Sequence, residues 1–206
     1  AITDGIGIDL GVKDLAIVSD GKVFKNIHKH SKVKRLEKRL RRAQRRLSRK
    51  YAFQKKKGGK TAAASANIDK QRRKIQTLYQ RMDHIREDYE NKVIHEIVKQ
   101  HPRFMTVEDL NVKGMIKNRH LAKAVAAQRF HRLLAKLKRK AESIGIEFRI
   151  ADRFYPSSKT CHACGHIHKG LKLKDRVYVC PACGYTEDRD INASLNLRDA
   201  EEYRIA

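Results

Sequence analysis

Apolar and polar residues alternate strictly in the stretch Gly5-Ile6-Gly7-Ile8-Asp9-Leu10-Gly11. As a strand it would turn Ile6, Ile8 and Leu10 to one face and Gly7, Asp9 and Gly11 to the other. The first face suits a core. The second carries one carboxylate between positions without side chains, a pattern that suits a metal or bulky anion approaching the backbone. Asp14 to Val18 and Gly21 to Ile27 read as two further short strands. Ser19-Asp20-Gly21-Lys22 is the turn between them, so a three-stranded meander opens the chain.

From Ser31 the period changes from two to three and four. Val33, Leu36, Leu40, Ala43, Leu47 and Tyr51 form one helical stripe. Lys57-Gly58-Gly59-Lys60 breaks that helix, Thr61 to Ala66 reads as a loose connector, and a second helix is expected from about Asn67 to Lys99. Ile68, Ile75, Leu78, Met82, Ile85 and Tyr89 are its seam, close to a heptad. Two such helices joined by a short loop predict an antiparallel hairpin.

Pro102 stops the second helix. Phe104 to Leu110 is then a buried strand carrying acids at its C-terminal end, and Asn111 to Met115 a loop. Leu121, Val125, Phe130, Leu133, Leu137, Ala141 and Ile144 mark one more amphipathic helix, stopped by Gly145. Ile146 to Ala151 is a strand. The segment Glu187 to Leu197 reads as a turn opening a helix, with Asp188 as an N-cap and Asp190 in the first turn, where a carboxylate also suits the helix dipole.

Charge changes this picture. The 206 residues include 48 Lys and Arg against 23 Asp and Glu, a net charge of +25 and a pI of about 10.2. Fifteen basic residues fall between Lys29 and Lys57. Left to themselves they repel, so a polyanion partner, nucleic acid first, is expected on the outer helix faces. No apolar run approaches the roughly 18 residues that would suggest a membrane span, and no membrane partner is expected.

The four cysteines are confined to Cys161-His162-Ala163-Cys164-Gly165 and Cys180-Pro181-Ala182-Cys183-Gly184, fifteen residues apart. Two such knuckles, each closed by glycine, are the pattern of a zinc ribbon. Cys161, Cys164, Cys180 and Cys183 would hold one structural Zn²⁺ tetrahedrally. His162, His166 and His168 are expected outside the ligand set.

Three acids stand in three different elements: Asp9, Glu108 and Asp190. The element order matches a ribonuclease-H-like architecture, in which the first and fourth strands are neighbours. Such a fold would set Asp9 beside Glu108 and bring Asp190 in from the last helix. Three carboxylates so close need cations, and Mg²⁺ prefers carboxylate oxygens, waters and phosphates.

The motifs Gly7-Ile8-Asp9-Leu10-Gly11, Val107-Glu108-Asp109-Leu110-Asn111 and Asp188-Arg189-Asp190-Ile191-Asn192-Ala193, with the two knuckles and Tyr155 to Cys161, resemble the RuvC motifs and zinc ribbon of transposon-encoded TnpB proteins, relatives of the type V CRISPR effector nucleases. The resemblance spans nearly the whole chain in the family's order. It implies an α/β, ribonuclease-H-like (RuvC) mixed sheet at 1–153 and 187–206, with an inserted basic helical hairpin at 28–100 and a small zinc ribbon at 154–186. It implies a metal-dependent, RNA-guided DNA endonuclease of prokaryotic cytoplasm and nucleoid, working with guide RNA on a DNA target. Asp9, Glu108 and Asp190 would hold two catalytic Mg²⁺, with Mn²⁺ an acceptable substitute and Asp188 the second choice for the third acid. Family members carry a large N-terminal guide-binding region, whereas this chain opens on the first RuvC strand; it reads as an excised nuclease portion or the product of a truncated gene. The charge and ribbon alone would equally serve a non-catalytic nucleic-acid-binding or transposition accessory protein. An actin-like ATPase is disfavoured, because Val12-Lys13-Asp14 lacks the hydroxyls usual in that phosphate loop.

Overall fold

The computed structural model describes residues 4–56, 62–172 and 174–206. They form two compact units, one running up to Asn26 and resuming at Val93, the other spanning Ile27–Lys92. No described helix is long and apolar enough to cross a membrane.

The first unit is built on a six-stranded mixed sheet. β1 (Ile6–Leu10), β2 (Asp14–Val18) and β3 (Val23–Lys25) form the expected meander. The third strand is shorter than predicted, because the chain leaves it for a single 3₁₀ turn at Ile27–Lys29. With β4 (Phe104–Glu108), β5 (Glu147–Ala151) and β8 (Tyr203–Ile205) the order is β3-β2-β1-β4-β5-β8, the ribonuclease-H-like order. β1 and β4 are parallel, with Ile8 opposite Val107. β4 and β5 are parallel, with Glu108 opposite Ala151. The remaining pairings are antiparallel. Ile6, Ile8, Leu10, Met105, Val107 and Phe148 are all buried, as period-two strands with a core face require.

α6 (Arg189–Arg198) packs directly on β1. A Cβ added at Gly7 would lie 1.9 Å from the Ser194 carbonyl oxygen and 2.4 Å from the Arg198 nitrogen. The glycine therefore admits a helix backbone, where the bare-strand pattern suggested ligand approach. Gly7 is fixed further by its amide donating to Ser19 Oγ at 3.1 Å.

Two helical expectations are corrected, and one strand is added. The segment Asn111–Met115 is not a loop: Asn111 Oδ1 accepts from the Gly114 amide at 2.9 Å and caps α3 (Val112–Lys117). The single helix expected from Leu121 is two, α4 (Ala122–Gln128) and α5 (Phe130–Glu142), broken at Arg129 with φ +52°. A left-handed non-glycine residue costs about 1–2 kcal/mol. The break lets the buried Gln128 aim its amide at the Gly11 and Val12 carbonyls, while Phe130, Leu133, Leu137 and Ala141 stay buried on α5. β8 was not expected at all. Its residues are exposed, and it is held by ladder bonds to β5 and by Arg149, whose guanidinium sits 3.6 Å from the Phe104 ring centroid and 4.2 Å from that of Tyr203.

The second unit is the helical hairpin of α1 (Ser31–Lys56) and α2 (Ala62–Val98), whose last turn belongs to the first unit. Lys57–Thr61 lies outside the described residues. Ala62–Ala66, expected as connector, is helical, in keeping with alanine's high helix propensity. Leu40, Ala43, Leu78 and Met82 form the buried seam, with Leu36 and Ile75 against it. Gln71 donates to the Ala43 carbonyl at 2.9 Å within it. Lys50 Nζ meets Asn67 near the tip, as an antiparallel pair requires. Arg41, Arg42, Arg45 and Arg46 are exposed.

Candidate active site and metal centre

Asp9 projects from the same face of β1 as Gly7, the face that α6 covers. Two residues along the strand and one turn back along the helix from the Gly7–Ser194 contact stand Asp9 and Asp190. Glu108 ends β4, the strand beside β1. Asp9 and Glu108 thus stand on adjacent strands and Asp190 on the helix that covers β1; their oxygens do not all lie within 4.8 Å of one another. Negative charge is felt at Asp9, whose carboxyl is pushed up to about 7, first by burial, then by the charges of Glu108, Asp190 and, least, Asp188, with Arg189 opposing. Burial, with Asp109 beside it, also raises Glu108.

Asp190 is held differently. Arg189 Nη2 donates to its Oδ1 at 2.9 Å, and Arg176 Nη1 stands 3.6 Å from Oδ2. Asp188 is the N-cap of α6, accepting from the amides of Asp190 at 2.9 Å and Ile191 at 3.3 Å. Asp188 is thus engaged through Oδ1 by the helix backbone, and Asp190 by arginine side chains. Neither arginine was singled out from the sequence, where each is one of 48 basic residues. Beyond Glu108, Asp109 pairs with Arg153 at 2.8 Å and lines an open groove of about 670 Å³ with Ala151, Phe154 and Arg204. The carboxylates suit hard divalent cations: they are oxygen donors, they repel, and one is partly buried with its charge poorly compensated.

The thiols make a tighter constellation. Among the described residues, Cys161, Cys164, Cys180 and Cys183 alone form a group of three or more potential metal donors all within 4.8 Å of one another. Cys161 Sγ lies 3.7 Å from Cys183 Sγ, and Cys164 Sγ 3.6 Å from Cys180 Sγ. A tetrahedral zinc with bonds of about 2.3 Å needs sulfurs about 3.8 Å apart, so the four thiols fit structural zinc. The knuckles are built alike. The Gly165 amide donates to the Cys161 carbonyl and the Gly184 amide to that of Cys180, at 2.8 and 3.0 Å, with both glycines left-handed at φ +72° and +75°. Burial alone would raise the Cys180 thiol; the amides of Cys183 and Ala182, with the Cys183 and Cys161 thiols, overcome it and hold the thiol down at about 6. Tyr178 packs between Cys161 and Cys180 at the centre of the ribbon. The three histidines stay outside: His162 lies beside Asp199, the His166 carbonyl accepts from the Cys161 amide, and His168 meets the Tyr178 ring edge-on.

Comparison with known proteins agrees. Residues 2–119 match the OrfB of IS605 family model, described as "Probable transposase", and residues 130–197 match "Cas12f1-like, TNB domain". The chain is 35% identical to a Streptomyces pristinaespiralis protein named "Putative RNA-guided DNA endonuclease", over 96% of this chain and 45% of that one. It is 32% identical to the Escherichia coli K12 protein named "Putative RNA-guided DNA endonuclease InsQ", over 93% of this chain and 48% of that one. The chain therefore spans about half the length of these relatives. Among solved structures it is similar to a cryo-EM "CRISPR-Cas12f Ternary Complex", with a TM-score of 0.64 and 19% identity over all of this chain and 41% of that one, and to a "Cas12f1-sgRNA-target DNA complex" at a TM-score of 0.61 and 18% identity, over 94% of this chain and 49% of that one. With a family model covering more than half its residues, the six-stranded order and the four-cysteine ribbon, this chain belongs to the transposon-encoded TnpB family, that of OrfB of IS605.

Proposed function

We propose that this chain is the nuclease portion of an RNA-guided DNA endonuclease, hydrolysing DNA phosphodiesters at Asp9, Glu108 and Asp190, with 1–153 and 187–206 as nuclease, 28–100 as inserted hairpin and 154–186 as ribbon. One observation supports it above the rest: the Asp9 carboxyl, pushed up to about 7 by burial and by three acidic neighbours, Glu108, Asp190 and Asp188. A protein that only binds phosphates gains nothing from desolvating a carboxylate among other carboxylates; a site that takes up divalent cations does. Bound there, two Mg²⁺ or Mn²⁺ would supply charge stabilisation to the attacking and leaving oxygens of an in-line displacement. The chain's own groups do the rest. Asp9, Glu108 and Asp190 would hold the cations, Asp188 fixes the first turn of α6, and Arg176 and Arg189 offset the charge of Asp190. Guide RNA and target DNA are the partners, in keeping with the names of the relatives.

The test is nicking of single-stranded and bubble DNA with Mg²⁺ or Mn²⁺, using the longer guide-loaded protein if this chain alone is inert. Asp9→Ala, Glu108→Ala and Asp190→Ala should each reduce cutting to background while DNA binding persists or tightens, since a negative charge leaves a chain of net charge +25. Asp188→Ala should cost about 1 kcal/mol of helix capping and keep activity. Acid variants that cut like the parent would refute the proposal. Guide-loaded parent protein that binds DNA and never cuts it would favour the accessory role.

The hairpin is proposed to hold nucleic-acid phosphates without reading bases. Log affinity should fall linearly with log salt, by about 0.9 per phosphate contact on duplex DNA. Replacing Arg41, Arg42, Arg45 and Arg46 by Glu should flatten that line; an unchanged slope would remove the hairpin from the interface.

A further inference from the structure

The ten-residue helix α6 carries a feature that packing does not explain. Asn192 is fully buried and Asn196 is 4% exposed. Asparagine is a poor helix former, and a buried amide is costly unless every partner is supplied. Leucine at both positions would suit a helix that merely covered a sheet. The partners reveal what the amides do. Asn192 Nδ2 donates to the Thr160 carbonyl at 2.8 Å, and its Oδ1 accepts from the His162 amide at 3.1 Å. These two backbone groups flank Cys161. Asn196 Nδ2 donates to the Ser157 and Thr160 carbonyls, both at 2.7 Å. One turn apart on the helix, the two side chains thus grip the backbone that leads into the first knuckle.

The second knuckle holds the same helix at its other end. β7 (Thr186–Asp188) pairs with β6 (Val177–Val179) behind Cys180 and runs without a linker into α6, which Asp188 caps. The helix is therefore fastened to both arms of the ribbon, while its inner face is pressed on Gly7. Asp190 lies two residues before Asn192. From this arrangement we infer that Asn192 and Asn196 are positioning residues through which the four-cysteine ribbon sets the place of Asp190, so that metal occupancy of the ribbon governs the acidic site. The inference rests on the reading of Asp9, Glu108 and Asp190 as one cation site. Its force is geometric: a helix displaced by about 1 Å at an acid that must share a metal is enough to cost about 100-fold in rate.

The test uses the full chain with Co²⁺ in the ribbon, whose thiolate absorption reports an intact tetrahedral site. Asn192→Ala and Asn196→Ala are each compared with the parent. Expected are an unchanged cobalt spectrum, amide hydrogen exchange at least tenfold faster across residues 191–198, and Mn²⁺ binding at the acids, read by electron paramagnetic resonance, weakened at least tenfold. Raised Mn²⁺ should then restore part of the cutting. In the parent, stripping the ribbon metal should loosen residues 191–198 before β1. Unchanged exchange with an intact cobalt spectrum overturns the inference. So does loss of the cobalt spectrum in both single variants, which would make the two amides ribbon-folding groups. If the parent shows no Mn²⁺ signal that Asp9→Asn removes, the nuclease reading falls, and the exchange data still decide whether the ribbon holds the helix.

Discussion

Asp9→Asn should make the protein more stable in magnesium-free buffer at pH 8. The native Asp9 carboxyl is held at about 7 against an ordinary value of 3.8, so the folded chain binds this proton more tightly than the unfolded chain. Its contribution to stability is fully present below about pH 4 and is lost as pH rises through about 7. Above that, the parent carries an ionised carboxylate that folding has partly desolvated. A gap of about three pH units corresponds to about 4 kcal/mol at most, and some solvent access at this position brings the expectation nearer 2–3 kcal/mol. In a chain of this size that is a rise in Tm of roughly 5–10 °C. The advantage of Asn should shrink steadily between pH 7 and pH 4 and vanish below. Added Mg²⁺ should raise the Tm of the parent at pH 8 and leave Asp9→Asn unmoved, because the amide cannot supply the charge that holds a cation. Thermal unfolding at four pH values, with and without Mg²⁺, measures all of this. An Asn variant that is less stable than the parent at pH 8 without Mg²⁺ would show that Asp9 has its counter-charge already.

Much of this arrangement was legible in the sequence, for reasons that are local. Strict alternation in Ile6–Leu10, the 3-4 spacing in α1 and α5, and the paired cysteine knuckles are short-range signals that need no knowledge of the fold. The acids are another matter. Nothing in the spacing of Asp9, Glu108 and Asp190 says that they meet; the element order and the motif resemblance linked them, and the parallel pairing of β1 with β4 and the docking of α6 on Gly7 are the contacts that relate their elements. Gly7 illustrates how a local pattern misleads. A bare strand position reads the same whether a ligand or a helix backbone approaches it, and here the helix does. The break at Arg129 left no trace because its cause, the bonds from Gln128 to Gly11 and Val12, spans more than a hundred residues. β8 left none because three exposed residues, Tyr203, Arg204 and Ile205, carry too little pattern, and its anchor is a stacked arginine on another strand. Asn192 and Asn196 could have been caught: two poor helix formers at i and i+4 among apolar residues are a conflict between propensity and pattern, and such conflicts gather at functional positions.

Loss of Cys161 or Cys180 should unfold residues from about 155 to 186, whereas loss of Cys164 or Cys183 should weaken zinc binding without abolishing it. Purified protein is expected to carry one zinc, since the sulfurs already stand 3.6 and 3.7 Å apart across the site, close to the spacing of tetrahedral zinc thiolates. Structural zinc contributes on the order of 10 kcal/mol of folding free energy in modules of this kind. The ribbon has little else to replace it: a two-stranded sheet of three-residue strands and a small cluster of Cys161, Tyr178 and Cys180, with Leu171 and Tyr185 against it. Cys161 and Cys180 are buried in that cluster, while Cys164 and Cys183 are exposed. Cys161→Ser and Cys180→Ser therefore remove a ligand and also place a hydroxyl beside Tyr178, a core penalty on top of the lost bond. Cys164→Ser and Cys183→Ser remove only the ligand, and water can reach the vacated corner. The first pair should lose zinc outright and become open to protease between 155 and 186. The second pair should keep zinc at reduced affinity, with added Zn²⁺ restoring protection. Elemental analysis and limited proteolysis of the four variants distinguish these outcomes. Parent protein without stoichiometric zinc, or four variants that resist protease like the parent, would overturn the assignment of a structural metal to this ribbon.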